Sequence, residues 1–188
     1  MKWTFPNLRL FLALDVITGG IYPAAVTLVR LAVFPHQAHG SLIRNEQGEV
    51  IASELIAQPF TSAKYFWPRP SAGDYATMPS GASNLSWTSG ELVRTVAERK
   101  AALLKAHNLP QETPVPADLL FASGSGLESC ISPEAAEFQA ARVAAARKLP
   151  LEKVRRLVAE HLIPGGILGE NVINVMTLNA ALDTLPSS

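Results

Sequence analysis

The sequence predicts a single N-terminal transmembrane helix followed by one compact mixed α/β (α+β) extracytoplasmic domain. Three observations lead to this fold class. An apolar segment occupies positions 8–34, and strand-like and helix-like patterns alternate over roughly the next 150 positions, a normal single-domain length. Basic residues also precede the span. We therefore divide the chain into a cytoplasmic tail (1–7), an anchor helix (8–34) and a soluble extracytoplasmic domain (35–188).

The anchor is long enough to cross a bilayer, for which about 20 apolar residues in a helix suffice. It stays apolar well beyond the roughly 7 to 15 residues of a signal-peptide core, and the sequence AHG at 38–40 is a poor cleavage site. We therefore predict an uncleaved anchor. Lys2 and Arg9 flank its start, whereas Arg44 follows its end, so the positive-inside rule places the tail in the cytoplasm and the domain outside.

Polar and small residues inside the span fall at i, i+3, i+4 and i+7, on one face of a helix: Asp15, Thr18, Gly19 and Tyr22. A carboxylate at Asp15 is costly in hydrocarbon unless it is neutral, paired or near the interface, and Arg30 lies too far along the helix to pair with it. We therefore predict that this face binds another protein chain. Pro23 removes one helical hydrogen bond, a break that membrane helices tolerate.

The first half of the domain opens with an alternating pattern. Residues 41–56 alternate around Gly48, which predicts a short hairpin or a strand-turn-strand. Positions 58–90 show neither helical nor strand periodicity and predict a long loop. An apolar stripe then predicts a helix from about Gly90 to His107.

The second half alternates further strand and helix patterns. ADLLFAS (117–123) predicts a buried strand, and Ser132 before Pro133 marks the start of an Ala-rich helix. Positions 151–162 predict another amphipathic helix. NVINVMTLN (171–179) is strand-like, and AALDTL closes the chain.

Composition argues against several functions. The 16 basic and 16 acidic residues leave no electrostatic footprint for nucleic acid. The single cysteine, Cys130, builds neither a disulfide framework nor a cysteine zinc site within one chain. His36 and His39 form a pair without a neighbouring carboxylate or cysteine cluster, so we predict no metal site.

Catalytic motifs are also absent from the sequence. SGSGLES (123–129) is a glycine-rich turn of the kind that binds phosphate, but Ser129 replaces the last glycine of a dinucleotide fingerprint and the Gly-Lys pair of a Walker A loop is missing. A flexible connection is the alternative interpretation. The chain has no G-x-S-x-G elbow, and we predict no catalytic residue.

The long loop contains the run YFWPRPSA at 65–72. Aromatic residues and arginine dominate the energetics of protein interfaces and are scarce in disordered linkers. This composition predicts that Tyr65, Phe66, Trp67 and Arg69 bind a partner. The alternative is that the aromatic side chains fold back onto their own domain.

Several runs, in this order and spacing, resemble KdpC, the C-subunit family of bacterial potassium-transporting KdpFABC P-type ATPases. They are TGGIYP, FPHQAHGSLI, SELIAQPF, YFWPRPSA, SGASNL, VPADLLFASGSGLES, ISPEAAEFQAARVAAAR and NVMTLNAAL. The sequence departs from the family pattern at Ala52 and Ala57, where glycines are expected, and at Glu128-Ser129-Cys130, where Asp-Pro-His is usual.

The resemblance implies a non-catalytic accessory subunit of an ATP-driven, high-affinity potassium uptake pump in the bacterial inner membrane. In this family the A subunit carries the ion filter, the B subunit hydrolyses ATP, the F subunit is a small third partner, and the C subunit is an assembly factor or catalytic chaperone that raises the ATP affinity of B. It implies no cofactor of the chain's own, since ATP and the potassium ion bind to the partner subunits. An extracytoplasmic domain acts on ATP affinity only through coupling across the membrane subunits.

In such a pump the run 65–72 and the run 80–85, which contains Asn84, would cap the outer face of a partner. Two other classes stay open on the residues alone. They are a membrane-anchored hydrolase and a free-standing extracytoplasmic binding module.

Overall fold

The N-terminal part of the chain is a long apolar helix. The computed structural model describes residues 4–185, divided into two compact units at Ser41 and Leu42. In the first unit a helix spans Phe5–Val33, with a mean hydropathy of 1.7, and is long and apolar enough to cross a membrane. This confirms the prediction of an N-terminal apolar helix, which begins before position 8.

A π-helical turn interrupts this helix just before its proline. Helix α1 covers Thr4–Val16, the π turn covers Ile17–Ile21, α2 covers Tyr22–Val33, and a short α3 covers Pro35–Ala38. The Tyr22 N–H donates to the Ile17 carbonyl, the i to i+5 bond of a π turn. Pro23 has no N–H to donate, so an α-helix would lose one backbone hydrogen bond at this position. The wider π turn lies immediately before it.

The second unit, which we call the C-terminal domain, combines two small sheets with five helices in the residues described. Its elements in chain order are β1 (Leu42–Arg44), β2 (Val50–Ser53), α4 (Gly90–His107), α5 (Ala117–Leu120), β3 (Cys130–Ile131), α6 (Pro133–Arg147), α7 (Leu151–Glu160), β4 (Leu162–Ile163), β5 (Val172–Asn174) and α8 (Val175–Asp183). Strands β1 and β2 form an antiparallel hairpin, as predicted. The other three strands form an antiparallel sheet in the order β3-β5-β4.

Helix α6 lies at the centre of the core. It packs against α4, α5, α7 and β5. Most of its buried positions are alanines, which let neighbouring backbones approach closely, and its three longer buried side chains are Gln139, Arg142 and Val143. Two of those three are polar, which is unusual in a core and calls for specific partners.

The helix start predicted at Ser132 is confirmed, and Ser89, which the sequence analysis did not single out, caps α4 in the same way. The Ser89 hydroxyl accepts from the Leu92 N–H at the start of α4, and the Ser132 hydroxyl accepts from the Ala135 N–H at the start of α6. The predicted helices 90–107 and 151–162 correspond to α4 and α7, the latter ending at Glu160.

Two strand predictions are wrong in part. Within ADLLFAS, residues 117–120 form helix α5, because Pro116 fixes a backbone conformation from which one helical turn starts. Within NVINVMTLN the strand ends at Asn174, whose side chain accepts from the N–H groups of Met176 and Thr177. This N-cap turns the rest of the segment into α8.

Candidate functional site in the long loop

The long loop is held to the core by two side-chain amides. Residues 58–89 form turns and extended coil. Gln139 of α6 pairs with the Trp67 backbone: its Oε1 accepts from the N–H at 2.7 Å and its Nε2 donates to the carbonyl at 3.1 Å. Asn179 of α8 does the same for Phe66, at 2.9 Å in both directions. These two amide clamps satisfy backbone groups that a strand partner would otherwise satisfy.

A buried arginine reinforces the first clamp. The Arg142 guanidinium stacks on the Trp67 ring at 4.0 Å, and its side chain donates to the Ala63 carbonyl at 2.7 Å and to Gln139 Oε1 at 2.9 Å. Its neighbours in these contacts are neutral, and burial lowers the pKa of Arg142 to about 10. The charge is therefore stabilised by oriented dipoles and an aromatic face.

His107 completes this cluster. Its Nδ1 lies 2.8 Å from the Leu103 carbonyl, so that nitrogen carries the hydrogen, and Nε2 accepts from Arg142 Nε at 3.1 Å. Burial, followed by the Arg142 charge, lowers the pKa of His107 from its usual value. The neutral imidazole is thus the form that fits this contact.

A second cation holds the start of the loop. Arg147 lies over the Tyr65 ring at 4.8 Å and donates to the Lys64 carbonyl at 2.7 Å. It also pairs with Asp183 at 2.7 Å, and the same carboxylate accepts from the Tyr65 hydroxyl at 3.0 Å. Burial and the Asp183 carboxylate raise the pKa of Tyr65. Residues 63–67 are therefore held by α6 and α8 together.

The glycine-rich turn at 123–126 supports the rest of the loop. The Ser123 N–H donates to the Pro70 carbonyl at 3.1 Å, and the Ser123 hydroxyl accepts from the Gly126 N–H at 2.9 Å. Gly126 has φ +73°, and a Cβ there would lie 2.9 Å from the Gly81 carbonyl oxygen. The observed contacts of this turn are thus with the loop, which favours a structural role over a phosphate site.

The predicted docking residues fall into different environments. Phe66 is 0% exposed and lies in the hydrophobic core. This corrects the prediction of a partner contact for Phe66, because a side chain without exposed surface has none to offer. Tyr65 and Trp67 are half-buried against their own domain, as the alternative interpretation had it, and a partner contact through their exposed edges stays a prediction.

Arg69 and Asn84 lie further along the loop. Arg69 is half-buried, and its Nε makes no hydrogen bond to any residue in the described range 4–185. It lines a cavity of about 210 Å³ that also contains Asp118, Glu128 and Cys130. Asn84 is exposed with φ 53°, a left-handed conformation that asparagine tolerates. Their partner contacts stay predictions.

The most exposed apolar side chains of the loop were not singled out from the sequence. Met78 is 90% exposed and Trp87 is 83% exposed, with the Trp87 ring 5.9 Å from that of Phe121. Their neighbours in the sequence are small and polar, so no periodic pattern marks them. A tryptophan left this exposed on an ordered segment is typical of a binding surface.

Catalytic and metal chemistry find little support in the residues described. Burial raises the pKa of the Cys130 thiol, which disfavours the nucleophilic thiolate. Residues 4–185 contain no group of three or more His, Cys, Asp or Glu side chains arranged to hold a metal ion.

The predicted membrane face runs from the end of α1 through the π turn to the start of α2. The Thr18 hydroxyl donates to the Leu14 carbonyl at 2.7 Å, and a Cβ on Gly19 would lie 3.9 Å from Asp15 Oδ1. A π turn contains about one residue more than an α-helical turn, and each residue of a helix advances by roughly 100° around the axis. Tyr22, which follows the π turn, is therefore rotated by roughly 100° around the helix axis from the position that α-helical spacing predicts. A partner contact at this face stays a prediction.

Comparison with known protein families gives a match that extends over the N-terminal helix and the C-terminal domain. The family model described as "KdpC: K+-transporting ATPase, c chain" matches residues 4–184. The chain belongs to the KdpC family. The resemblance seen in the sequence is therefore confirmed, and the family match includes the N-terminal apolar helix as well as the C-terminal domain.

Curated members of the KdpC family align over nearly their whole length. The "Potassium-transporting ATPase KdpC subunit" of Citrifermentans bemidjiense is 48% identical, covering 97% of this chain and 97% of the relative. The protein of the same description from Photorhabdus laumondii is 44% identical, with 99% and 98% covered. That of Pseudomonas putida is 46% identical, with 96% and 95% covered.

Proposed function

We propose that this KdpC-family chain is the non-catalytic accessory subunit of an ATP-driven potassium uptake pump, in which it supports assembly and raises the ATP affinity of the ATP-hydrolysing subunit. The observation that carries the proposal is the family match over residues 4–184, which includes the anchor. Its partners are the potassium-translocating A subunit, the ATP-hydrolysing B subunit and the small F subunit. ATP and potassium ion bind to those partners.

The domain acts from outside the cytoplasm in this proposal. Lys2 and Arg9 flank the start of the anchor, and the positive-inside bias supports a cytoplasmic N-terminus. ATP is then on the opposite side of the membrane from the C-terminal domain. The effect on ATP affinity is consequently a coupling free energy, transmitted through the membrane-embedded subunits.

The long loop is the proposed contact with those subunits. The amide clamps and Arg142 hold residues 63–67 in place, so this base of the loop does not have to be ordered when a partner binds. Beyond the clamps, Met78, Asn84 and Trp87 are exposed. A fixed base with exposed apolar and polar side chains at its far end suits docking better than catalysis.

Affinity purification of the tagged full-length chain in mild detergent tests the proposal. The potassium-translocating and ATP-hydrolysing subunits should be recovered with it. Recovery of the folded chain by itself would contradict the proposal and favour a free-standing binding module or hydrolase.

A single substitution tests the loop. Trp87→Ala should weaken association by about 2 kcal/mol or more, as truncation of an interface tryptophan does. Val93→Ala is the control, since Val93 is 63% exposed but lies on α4. Equal recovery of the partner subunits by both variants would remove Trp87 from the interface.

A further inference from the structure

Asp15 is the acidic residue within the long apolar helix. The other charged residues of the described span Phe5–Val33 are Arg9 and Arg30, which enclose 20 residues between them. At about 1.5 Å per residue these residues match the roughly 30 Å hydrocarbon layer of a bilayer. With the two arginines at the two membrane surfaces, Asp15 lies about 9 Å deeper than Arg9. An aspartate side chain at that depth is too short to reach the headgroups.

The helix itself offers the Asp15 carboxylate no partner. This carboxylate makes no hydrogen bond or ion pair with any residue in the described range 4–185. Thr18, one turn further on, donates its hydroxyl hydrogen to the Leu14 carbonyl at 2.7 Å. Arg9 is about 120° away around the helix axis as well as about 9 Å along it. Because Gly19 has no Cβ, which would lie 3.9 Å from Asp15 Oδ1, the carboxylate stays uncovered on that side.

Lipid does not suit this carboxylate as a neighbour. The residues of the span are exposed on every side in the part of the chain that the structure describes. Charged side chains inside membrane helices are costly against hydrocarbon, and they face other helices or water-filled cavities, where they are paired. The neighbour of Asp15 is therefore a protein chain that can satisfy a carboxylate.

A second copy of the anchor has no suitable group at the required depth. Two copies cross the membrane in the same direction, so Asp15 of one copy would lie at the depth of Asp15 of the other, which places like charges together. Arg9 and Arg30 of the second copy would remain about 9 Å and about 20 Å away along the axis. Sliding one copy by 9 Å to bring the two groups together would pull its Arg9 into the hydrocarbon layer.

We propose that the Asp15 carboxylate pairs, within the membrane, with a Lys or Arg side chain on a helix of another subunit of the same pump. This inference rests on the function proposed above. A cation satisfies both the charge and the hydrogen-bonding capacity of a carboxylate, whereas a neutral donor leaves the charge uncompensated. Gly19 beside the carboxylate allows the backbone of the partner helix to approach closely.

The first experiment compares variants of the tagged full-length chain, expressed with the other pump subunits, purified in mild detergent and normalised to the amount of chain in the membrane. Recovery of those subunits by Asp15→Asn, which keeps the shape but not the charge, should fall about tenfold, the affinity change that loss of one charge-assisted hydrogen bond causes. Asp15→Lys should recover less still, because it places like charges together. Ala13→Asn is the control, since its amide lies about 160° away around the helix, and it should retain wild-type recovery.

Three results of this comparison would overturn the inference. Wild-type recovery by Asp15→Asn, or equal recovery by Asp15→Asn and Asp15→Lys, would show that the partner does not recognise the charge. An equal loss for Ala13→Asn would show that any amide at this depth weakens assembly, whichever side of the helix carries it.

The second experiment identifies the neighbour by photo-cross-linking in membranes that contain the whole pump. Leu12→p-benzoylphenylalanine places the photoreactive group about 60° from Asp15 and one turn before it. The cross-linked peptide should come from another pump subunit and should contain a Lys or Arg within a membrane helix. A cross-link to a second copy, a peptide without such a residue, or a cross-link to lipid alone would each contradict the proposed pair.

The two proposals fail differently. Undiminished recovery by Asp15→Asn, with wild-type chain recovering the pump, overturns the Asp15 pair and leaves the function standing. A wild-type chain that recovers no pump subunit overturns the proposed function and the Asp15 pair with it.

Discussion

Replacing Gln139 by Met should release the long loop from helix α6. Methionine has a similar length but lacks the amide that pairs with both backbone groups of Trp67. It also removes the oxygen that accepts from Arg142. Each buried polar group left without a partner costs about 1 to 3 kcal/mol. Two backbone groups give about 2 to 6 kcal/mol, and because Trp67 is only half-buried we expect a loss of about 3 kcal/mol in the free energy of unfolding.

Urea denaturation of the full-length chain in detergent micelles, followed by tryptophan fluorescence, measures this loss. With a urea dependence of about 2 kcal/mol/M, the unfolding midpoint should fall by about 1.5 M. Gln111→Met is the control: Gln111 is exposed, and its replacement should leave the midpoint unchanged. A loss below about 1 kcal/mol for Gln139→Met would refute the clamp, because water would then satisfy the Trp67 backbone equally well.

Three further predictions concern pH, topology and the membrane face. Because burial lowers the pKa of His107, the unfolded chain takes up a proton more readily than the folded chain, so the free energy of unfolding should fall as pH drops from 7 to 5, through the usual value of 6.5. His107→Gln should flatten this dependence, and an unchanged slope would argue against the neutral imidazole. A reporter fused after Ser188 should be active only outside the cytoplasm; activity of a reporter that works only in the cytoplasm would reverse the topology. Gly19→Leu should reduce recovery of the pump subunits while Val16→Leu should not, and equal recovery would show that the polar membrane face is not an interface.

Local signals in the sequence predict the helices well, because caps act over three or four residues. Ser132 is an example, since the sequence predicts a helix start there and α6 begins at Pro133. Asn174 is also a cap, but the β-branched residues around it gave a stronger strand signal than the single asparagine gave for a helix start. One N-cap therefore decided between strand and helix for residues 175–179.

The contacts that hold the candidate site together join residues that are far apart in the sequence, so no local sequence pattern predicts them. Gln139 and Trp67 are 72 positions apart, and Asn179 and Phe66 are 113 apart. An amide in an Ala-rich helix is ordinarily interpreted as an exposed polar residue, so burial of Gln139 follows only from the tertiary fold. The same holds for Phe66. The composition of its segment predicted an interface residue, whereas the structure places its side chain in the hydrophobic core.

The exposure of Ile167 and Leu168, between β4 and β5, was not predicted from the sequence for a related reason. Leu162 and Ile163 continue the apolar pattern of α7, and Ile167 and Leu168 are indistinguishable by type from core residues. Their exposure is set by the glycines that cross at 165 and 169, a contact between backbones that sequence patterns do not report.

Potassium-stimulated ATP hydrolysis tests the central claim most directly. Membranes that contain the other pump subunits are compared with and without this chain, at several ATP concentrations and with matched amounts of the ATP-hydrolysing subunit. The account predicts that the chain lowers the apparent KM for ATP and raises the potassium-stimulated rate, through a coupling free energy between the accessory subunit and the nucleotide site. The same KM and the same rate in both membranes would contradict it.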